Sequence, residues 1–195
     1  VDQLKMLAIG NDIIDLHHPS ILGHSSRDEE WMQRHLTESE WRKLSDASEF
    51  WQIFALKEAS SKAITQLGYT VPFGSFTHFE VDIGQNNVLH CSGEVLSIQM
   101  IQSNSEWIHA VVNSVVRTSC PQTVSEVYKL ADNEDPSVFL QNKLLNSLRS
   151  NGYPFATFAQ GNGIPLIVQD GKPLAPVSFS HSGKFAAFSW LSEKL

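Results

Sequence analysis

Residues 6–16, MLAIGNDIIDL, form an apolar run broken by one polar step at Asn11-Asp12, and the pattern predicts a buried strand. Two helical patterns follow over 28–36 and 37–44. Thr37 and Glu40 have the spacing of a capping box, so a helix is expected to start there. The longest helical pattern covers 49–67 and is closed by Gly68. Its core stripe is Ile53, Leu56, Ala63 and Leu67, while Glu58 and Lys62, four apart, share another face.

Strand patterns occupy 75–83, 88–99 and 107–116, with a turn at 84–87. A polar connection over 117–135 contains Pro121 and a short helix expected at 125–130. Asp135-Pro136 then starts a helix whose buried face is Leu140, Leu144, Leu145 and Leu148, ending at Gly152. Further strands are read at 164–169, from Lys172-Pro173 after the Asp170-Gly171 turn, at 177–182 and at 185–190. The order predicts an α+β protein of two tandem, pseudo-symmetric units, each a small antiparallel sheet with packed helices. The expected units are 1–118 and 119–195, with the seam near 117–122. Ser75-Phe-Thr-His78 echoes Ser178-Phe-Ser-His181, but the parallel layout of the halves is the stronger sign of repetition.

Composition narrows the classes. An apolar share of 42% with 18% charged residues is ordinary for a chain with a real core, and no run approaches the roughly 20 apolar residues of a membrane span. The start, Val1 to Lys5, has no secretory-type apolar stretch, so the cytoplasm is expected. Cys91 and Cys120 are too few for a disulfide framework and are read as reduced thiols. The net charge of −7 argues against a nucleic-acid binder. It also requires any anionic ligand to meet a local basic cluster.

Candidate chemistry begins with Asp12, because an uncompensated acid in an apolar strand is costly; a strand-end turn or cap is the alternative. Asp12 and Glu58 together suit Mg2+ beside a phosphate, with Lys57 and Lys62 as neutralising cations. The alternative is a surface Glu58–Lys62 pair of about 0.3–0.5 kcal/mol. At the other end, Lys172, the hydroxyls of Ser178, Ser180 and Ser182, and His181 suit a phosphate, or else mark a solvated edge. His17 and His18 either line a site mouth or lie in an exposed loop. His24, His35, His90 and His109 show no metal-ligand spacing. Gly161-Asn162-Gly163 is too short for a dinucleotide fingerprint.

Five segments taken together resemble the phosphopantetheinyl transferase superfamily. Gly10-Asn11-Asp12-Ile13 is similar to its G-x-D strand, and Leu36 to Glu40 to its L-T-x-x-E element. Phe54 to Ala63 is similar to its F-x-x-K-E-A-x-x-K helix. Gly171-Lys172-Pro173 and Ser178 to Ser182 are similar to its G-K-P and S-x-S-H motifs. The resemblance implies transfer of the phosphopantetheine arm of coenzyme A to a serine of an apo acyl or peptidyl carrier protein, releasing adenosine 3′,5′-bisphosphate. It implies Mg2+, with Mn2+ as an alternative, held by Asp12 and Glu58. Glu58, Lys62 and Asp12 would be the catalytic group, with Glu58 also a candidate base. Lys62 would meet the pyrophosphate, while Lys172, Pro173, Ser180 and His181 would grip the nucleotide part of coenzyme A.

Two departures from the family pattern matter. Ile14 stands where the larger, surfactin-synthetase-activating type has a second acid, so the strand more closely resembles the small holo-acyl-carrier-protein synthase type. The motif order is also permuted, with the metal-binding half first. The halves are complementary, which implies a monomeric pseudo-dimer with one site at the seam.

The leading alternative is a catalytically silent coenzyme A or carrier-protein binding module of the same fold. A hydrolase using Ser180 or Ser182 with His181 lacks a G-x-S-x-G elbow. Arg27, Arg34, Arg42 and Lys43 are the expected docking patch for the carrier.

Overall fold

Strand β1 (Ile9–Asp15) is buried on both faces, which explains its nearly unbroken apolar run. Ala8 and Ile14 belong to one core, while Ile9 and Ile13 face separate apolar clusters with Leu191, Phe185 and Ala187. The computed structural model of the chain describes residues 7–25, 29–72, 74, 76–114, 121–161 and 163–192.

After β1 come four helices, α1 (Pro19–Ser25), α2 (Glu29–His35), α3 (Glu38–Lys43) and α4 (Ala47–Gln66). Thr37 and Glu40 form the expected capping box on α3, and Asp46 caps α4. A 3-10 turn at Phe76–His78 leads into β2 (Phe79–Asp82), β3 (Asn87–His90), β4 (Val95–Ser103) and β5 (Trp107–Ser114). These strands pair antiparallel in the order β1-β5-β4-β3-β2, and α4 packs on the sheet.

The second sheet is built from β6 (Gln122–Lys129), β7 (Thr157–Gly161), β8 (Ile164–Gln169), β9 (Lys172–Ser182) and β10 (Phe185–Ser192). Its order is β6-β10-β9-β8-β7, and α5 (Pro136–Ser150) packs on it through Leu140, Leu144 and Leu148. Each sheet follows one rule. A strand leads into helix, the next four strands meander, and the last returns to pair with the first. The expected two-unit α+β architecture with antiparallel sheets is the observed one.

Three local expectations are corrected. Residues 125–129 belong to β6 rather than a helix, because Ser125, Glu126, Val127, Tyr128 and Lys129 pair along β10, and Leu130 lies just past the strand. The expected 88–99 strand is two strands, since Cys91 to Glu94 make a tight turn with Gly93 at φ +90°. The 75–83 strand is shorter, its start replaced by the 3-10 turn. The seam expected at 117–122 lies mostly outside the described residues, as do Arg27 and Cys120.

The sheets meet along β1 and β9. β1 is an edge of the first sheet, and its outward N–H groups need partners there. Asn11, Ile13 and Asp15 N–H donate to Ser178, Ser180 and Ser182 Oγ at 3.0, 2.9 and 3.1 Å. The period of two on one strand thus meets the period of two on the other.

Candidate active site

Asp12 is held on the α4 side of β1 by the close approach of that helix. A Cβ on Gly10 would lie 1.7 Å from the Ala59 carbonyl oxygen, so only glycine lets α4 come this near. Gln66 fixes the same approach from the end of α4. Its Oε1 accepts from Ile9 N–H (2.9 Å), and its Nε2 donates to the Val177 carbonyl on β9 (2.9 Å). One side chain therefore ties the helix to both sheets.

This packing brings Lys62 onto β1. Its Nζ donates to Asp12 Oδ1 (3.0 Å) and to the Asn11 carbonyl (2.8 Å). Ser180 Oγ donates to the same Asp12 oxygen at 2.9 Å. Lys62 is therefore paired with Asp12 across two elements, and the simple surface Glu58–Lys62 pair is not what forms.

Glu58 lies one helical turn before Lys62. Burial raises its carboxyl above the ordinary value, Asp12 adds to the rise, and Lys62 opposes it. Two carboxylates from different elements, close enough to repel each other and offset by one lysine, are a donor set that suits a divalent cation with oxygen ligands. The residues present fit Mg2+ held by Asp12 and Glu58. Ile14, where a further acid would stand, is packed into the core. Asp15 is buried and spent on the His17 and Lys184 N–H groups.

Two clefts meet at Ser61. One, of about 180 Å³, lies beside Glu58 and is walled by Val71, Pro72, Phe76 and Phe79. The other, of about 270 Å³, runs past Lys62 and Gln66 to Ile164, Pro165 and Phe179 of the second sheet.

Lys57 is a correction. It is not a phosphate-facing cation but a fully buried partner of Glu40, with Nζ–Oε2 2.5 Å and a second bond to the His35 carbonyl. Burial lowers its pKa and Glu40 opposes the shift. Glu40 also accepts from Thr37 N–H (2.7 Å) and Val81 N–H (2.8 Å). The L-T-x-x-E and K-E elements are thus joined in the interior.

The serines are not a solvated edge either. Ser178 and Ser180 are buried, and all three hydroxyls face backbone N–H groups of β1. This commitment removes the basis for a serine hydrolase, since neither Ser180 nor Ser182 is bonded to His181 on the alternate side of the strand. His181 is exposed. Lys172 and Pro173 are exposed at the start of β9, Lys172 on the order of 25 Å along the strand from Ser180. The structure therefore brings Asp12, Glu58, Lys62 and Ser180 together and leaves Lys172 and Pro173 apart. Gln66 was invisible in the sequence, where it reads as an ordinary helix residue. Of the expected docking patch, Arg34 and Arg42 are each ion-paired with a glutamate four residues earlier, Glu30 and Glu38.

The model of the 4′-phosphopantetheinyl transferase superfamily matches residues 8–112, more than half of the chain. The chain belongs to that superfamily. The matched segment runs from the start of β1 into β5 and contains Asp12, Glu58 and Lys62. No curated protein and no solved structure matches the chain. Among the described residues, no helix is long and apolar enough to cross a membrane.

Proposed function

We propose that the protein transfers 4′-phosphopantetheine from coenzyme A to a serine of an apo acyl or peptidyl carrier protein, releasing adenosine 3′,5′-bisphosphate. Membership of the superfamily supports phosphopantetheinyl transfer in general. The observation that carries the specific reading is that Lys62, on the wall of one cleft, is bonded to Asp12 and lies one helical turn from Glu58, on the wall of the other.

The seam cleft past Lys62 and Gln66 is the proposed berth for coenzyme A, and the Glu58 cleft the proposed approach of the acceptor serine. Lys62 places its ammonium where the pyrophosphate charge would be neutralised, while Ser180 orients Asp12. Glu58, with its raised affinity for a proton, would take the proton from the serine hydroxyl as oxygen attacks phosphorus and the bond to the bridging oxygen breaks. Mg2+ held by Asp12 and Glu58 would supply charge neutralisation at the transferring group. His181, next to Ser180 on β9, is proposed to contact the nucleotide end; Lys172 and Pro173, at the other end of the strand, are left out of that contact. Because Asp12 and Ser180 come from the two sheets of one chain, a single chain is proposed to suffice. In this reading the chain is a pseudo-dimer with its halves in permuted order.

Incubation with coenzyme A, Mg2+ and apo carrier, followed by intact mass, tests the reading. The expected result is a carrier heavier by one phosphopantetheine, with Glu58→Gln inactive but folded. Coenzyme A binding without any mass gain across several carriers would leave the silent binding module instead.

A further inference from the structure

His78, His90 and Cys91 stand at the opposite edge of the first sheet from β1, outside the site described above. His78 ends the Phe76–His78 turn, and His90 and Cys91 lie where β3 turns into β4. Their candidate ligand atoms lie within 4.8 Å of one another. Local backbone geometry holds the group together. Phe79 pairs with His90 across the β2–β3 ladder, and Cys91 N–H donates to the His78 carbonyl at 2.9 Å. Gly93, at φ +90°, closes the turn with its N–H on the His90 carbonyl.

His90 is the anchor. It is only 5% exposed, and its ring packs 4.9 Å from that of Phe79. Its Nδ1 lies 2.7 Å from Ser92 Oγ and accepts the Ser92 N–H at 3.3 Å, so Ser92 occupies that side of the ring. Its Nε2 faces Cys91 Sγ at 3.7 Å. An imidazole tied on one nitrogen and open on the other is how proteins orient a metal-ligating histidine.

We infer that His78, His90 and Cys91 form a binding site for a borderline-soft divalent cation, Zn2+ above all. One thiolate and two imidazoles select such an ion, whereas the oxygen-ligated Mg2+ would prefer the carboxylates on the far edge. Bonds of about 2.0–2.3 Å require the three atoms to draw somewhat closer. The exposed side chains of His78 and Cys91 can turn to do so, while His90 stays fixed. Three protein ligands leave a fourth position for water. The ion would join the Phe76–His78 turn to the β3–β4 turn, and Phe76 is a wall of the cleft beside Glu58. This inference stands on its own geometry and is independent of the transfer reaction.

Co2+ is the spectroscopic probe. The full chain, reduced and stripped with chelator, is titrated with Co2+ and then with Zn2+ against a chromophoric competitor. The expected result is one tightly bound ion with a thiolate-to-cobalt charge-transfer band, which ions on Asp12 and Glu58 cannot produce. His78→Gln and Cys91→Ser, both at exposed positions, should each weaken Zn2+ binding by at least about tenfold, the loss that even an outer partner causes. Cys91→Ser should also erase the band, and Cys120→Ser should keep it. Absence of the band in the unaltered chain, or its survival in Cys91→Ser, overturns the site. Unchanged Zn2+ affinity in His78→Gln overturns it as well.

Discussion

Ser180 Oγ on β9 donates to Asp12 Oδ1 at 2.9 Å while accepting the N–H of Ile13 at 2.9 Å. One hydroxyl therefore closes the seam between the sheets and orients a candidate metal ligand. Ser178, two residues earlier, does the first task for Asn11 without touching Asp12. The pair separates the two roles experimentally.

Ser178→Ala and Ser180→Ala each leave a buried N–H without its partner, a cost of about 1–3 kcal/mol. Denaturant unfolding should show comparable losses for both. Only Ser180→Ala should also change the Mg2+ concentration needed for half-maximal transfer. Equal Mg2+ dependence in the two variants would show that Ser180 does not orient Asp12.

Gly10→Ala should be among the most damaging single changes. Its Cβ would meet Ala59 O at 1.7 Å, and backbone rather than a flexible side chain must give way. Overpacking of this kind costs about 1–3 kcal/mol or more. The displaced α4 should carry Glu58 and Lys62 away from Asp12, so any folded fraction should lose transfer while circular dichroism stays native-like. A fully active, fully stable Gly10→Ala would contradict the packing.

Lys57→Met should act on stability rather than on coenzyme A. It strands Glu40, which is 3% exposed, as an uncompensated buried charge, a loss of about 3–5 kcal/mol. Thermal unfolding should fall sharply, and coenzyme A affinity measured on the folded fraction should be unchanged. A selective loss of coenzyme A affinity at normal stability would restore the phosphate-facing role for Lys57.

His109 gives the fold a pH dependence. It is fully buried on β5, and burial, with Lys62 adding, lowers its pKa to about 4 from an ordinary 6.5. The unfolded chain then binds the proton first, so this contribution is fully present above about pH 6.5 and is lost as pH falls towards 4. The shift corresponds to at most about 3 kcal/mol. Stability measured from pH 7 to 4 should fall less steeply in His109→Gln than in the unaltered chain. Parallel curves would exclude His109 as the source.

The sequence by itself determined the elements whose signals are local. The Thr37–Glu40 capping box, the Asp135-Pro136 start of α5 and the Asp170-Gly171 turn all form where their residue types dictate. It also named Asp12, Glu58 and Lys62, because charged groups inside apolar periodicity are conspicuous in one dimension.

Only the tertiary structure decided which partners such groups have. Lys57 and Lys62 are both lysines in one helix, yet the helical turn sends one inward to Glu40 and the other across to Asp12. The alternating serines were legible as a polar face, but that this face meets an unpaired strand edge depends on how two sheets dock. His78, His90 and Cys91 likewise have no metal-binding spacing along the chain. They gather because antiparallel pairing of β2 with β3 sets Phe79 beside His90, eleven residues on, and so brings His78 next to Cys91. Local propensity is read from neighbours in sequence, whereas pairing and burial are set by neighbours in space.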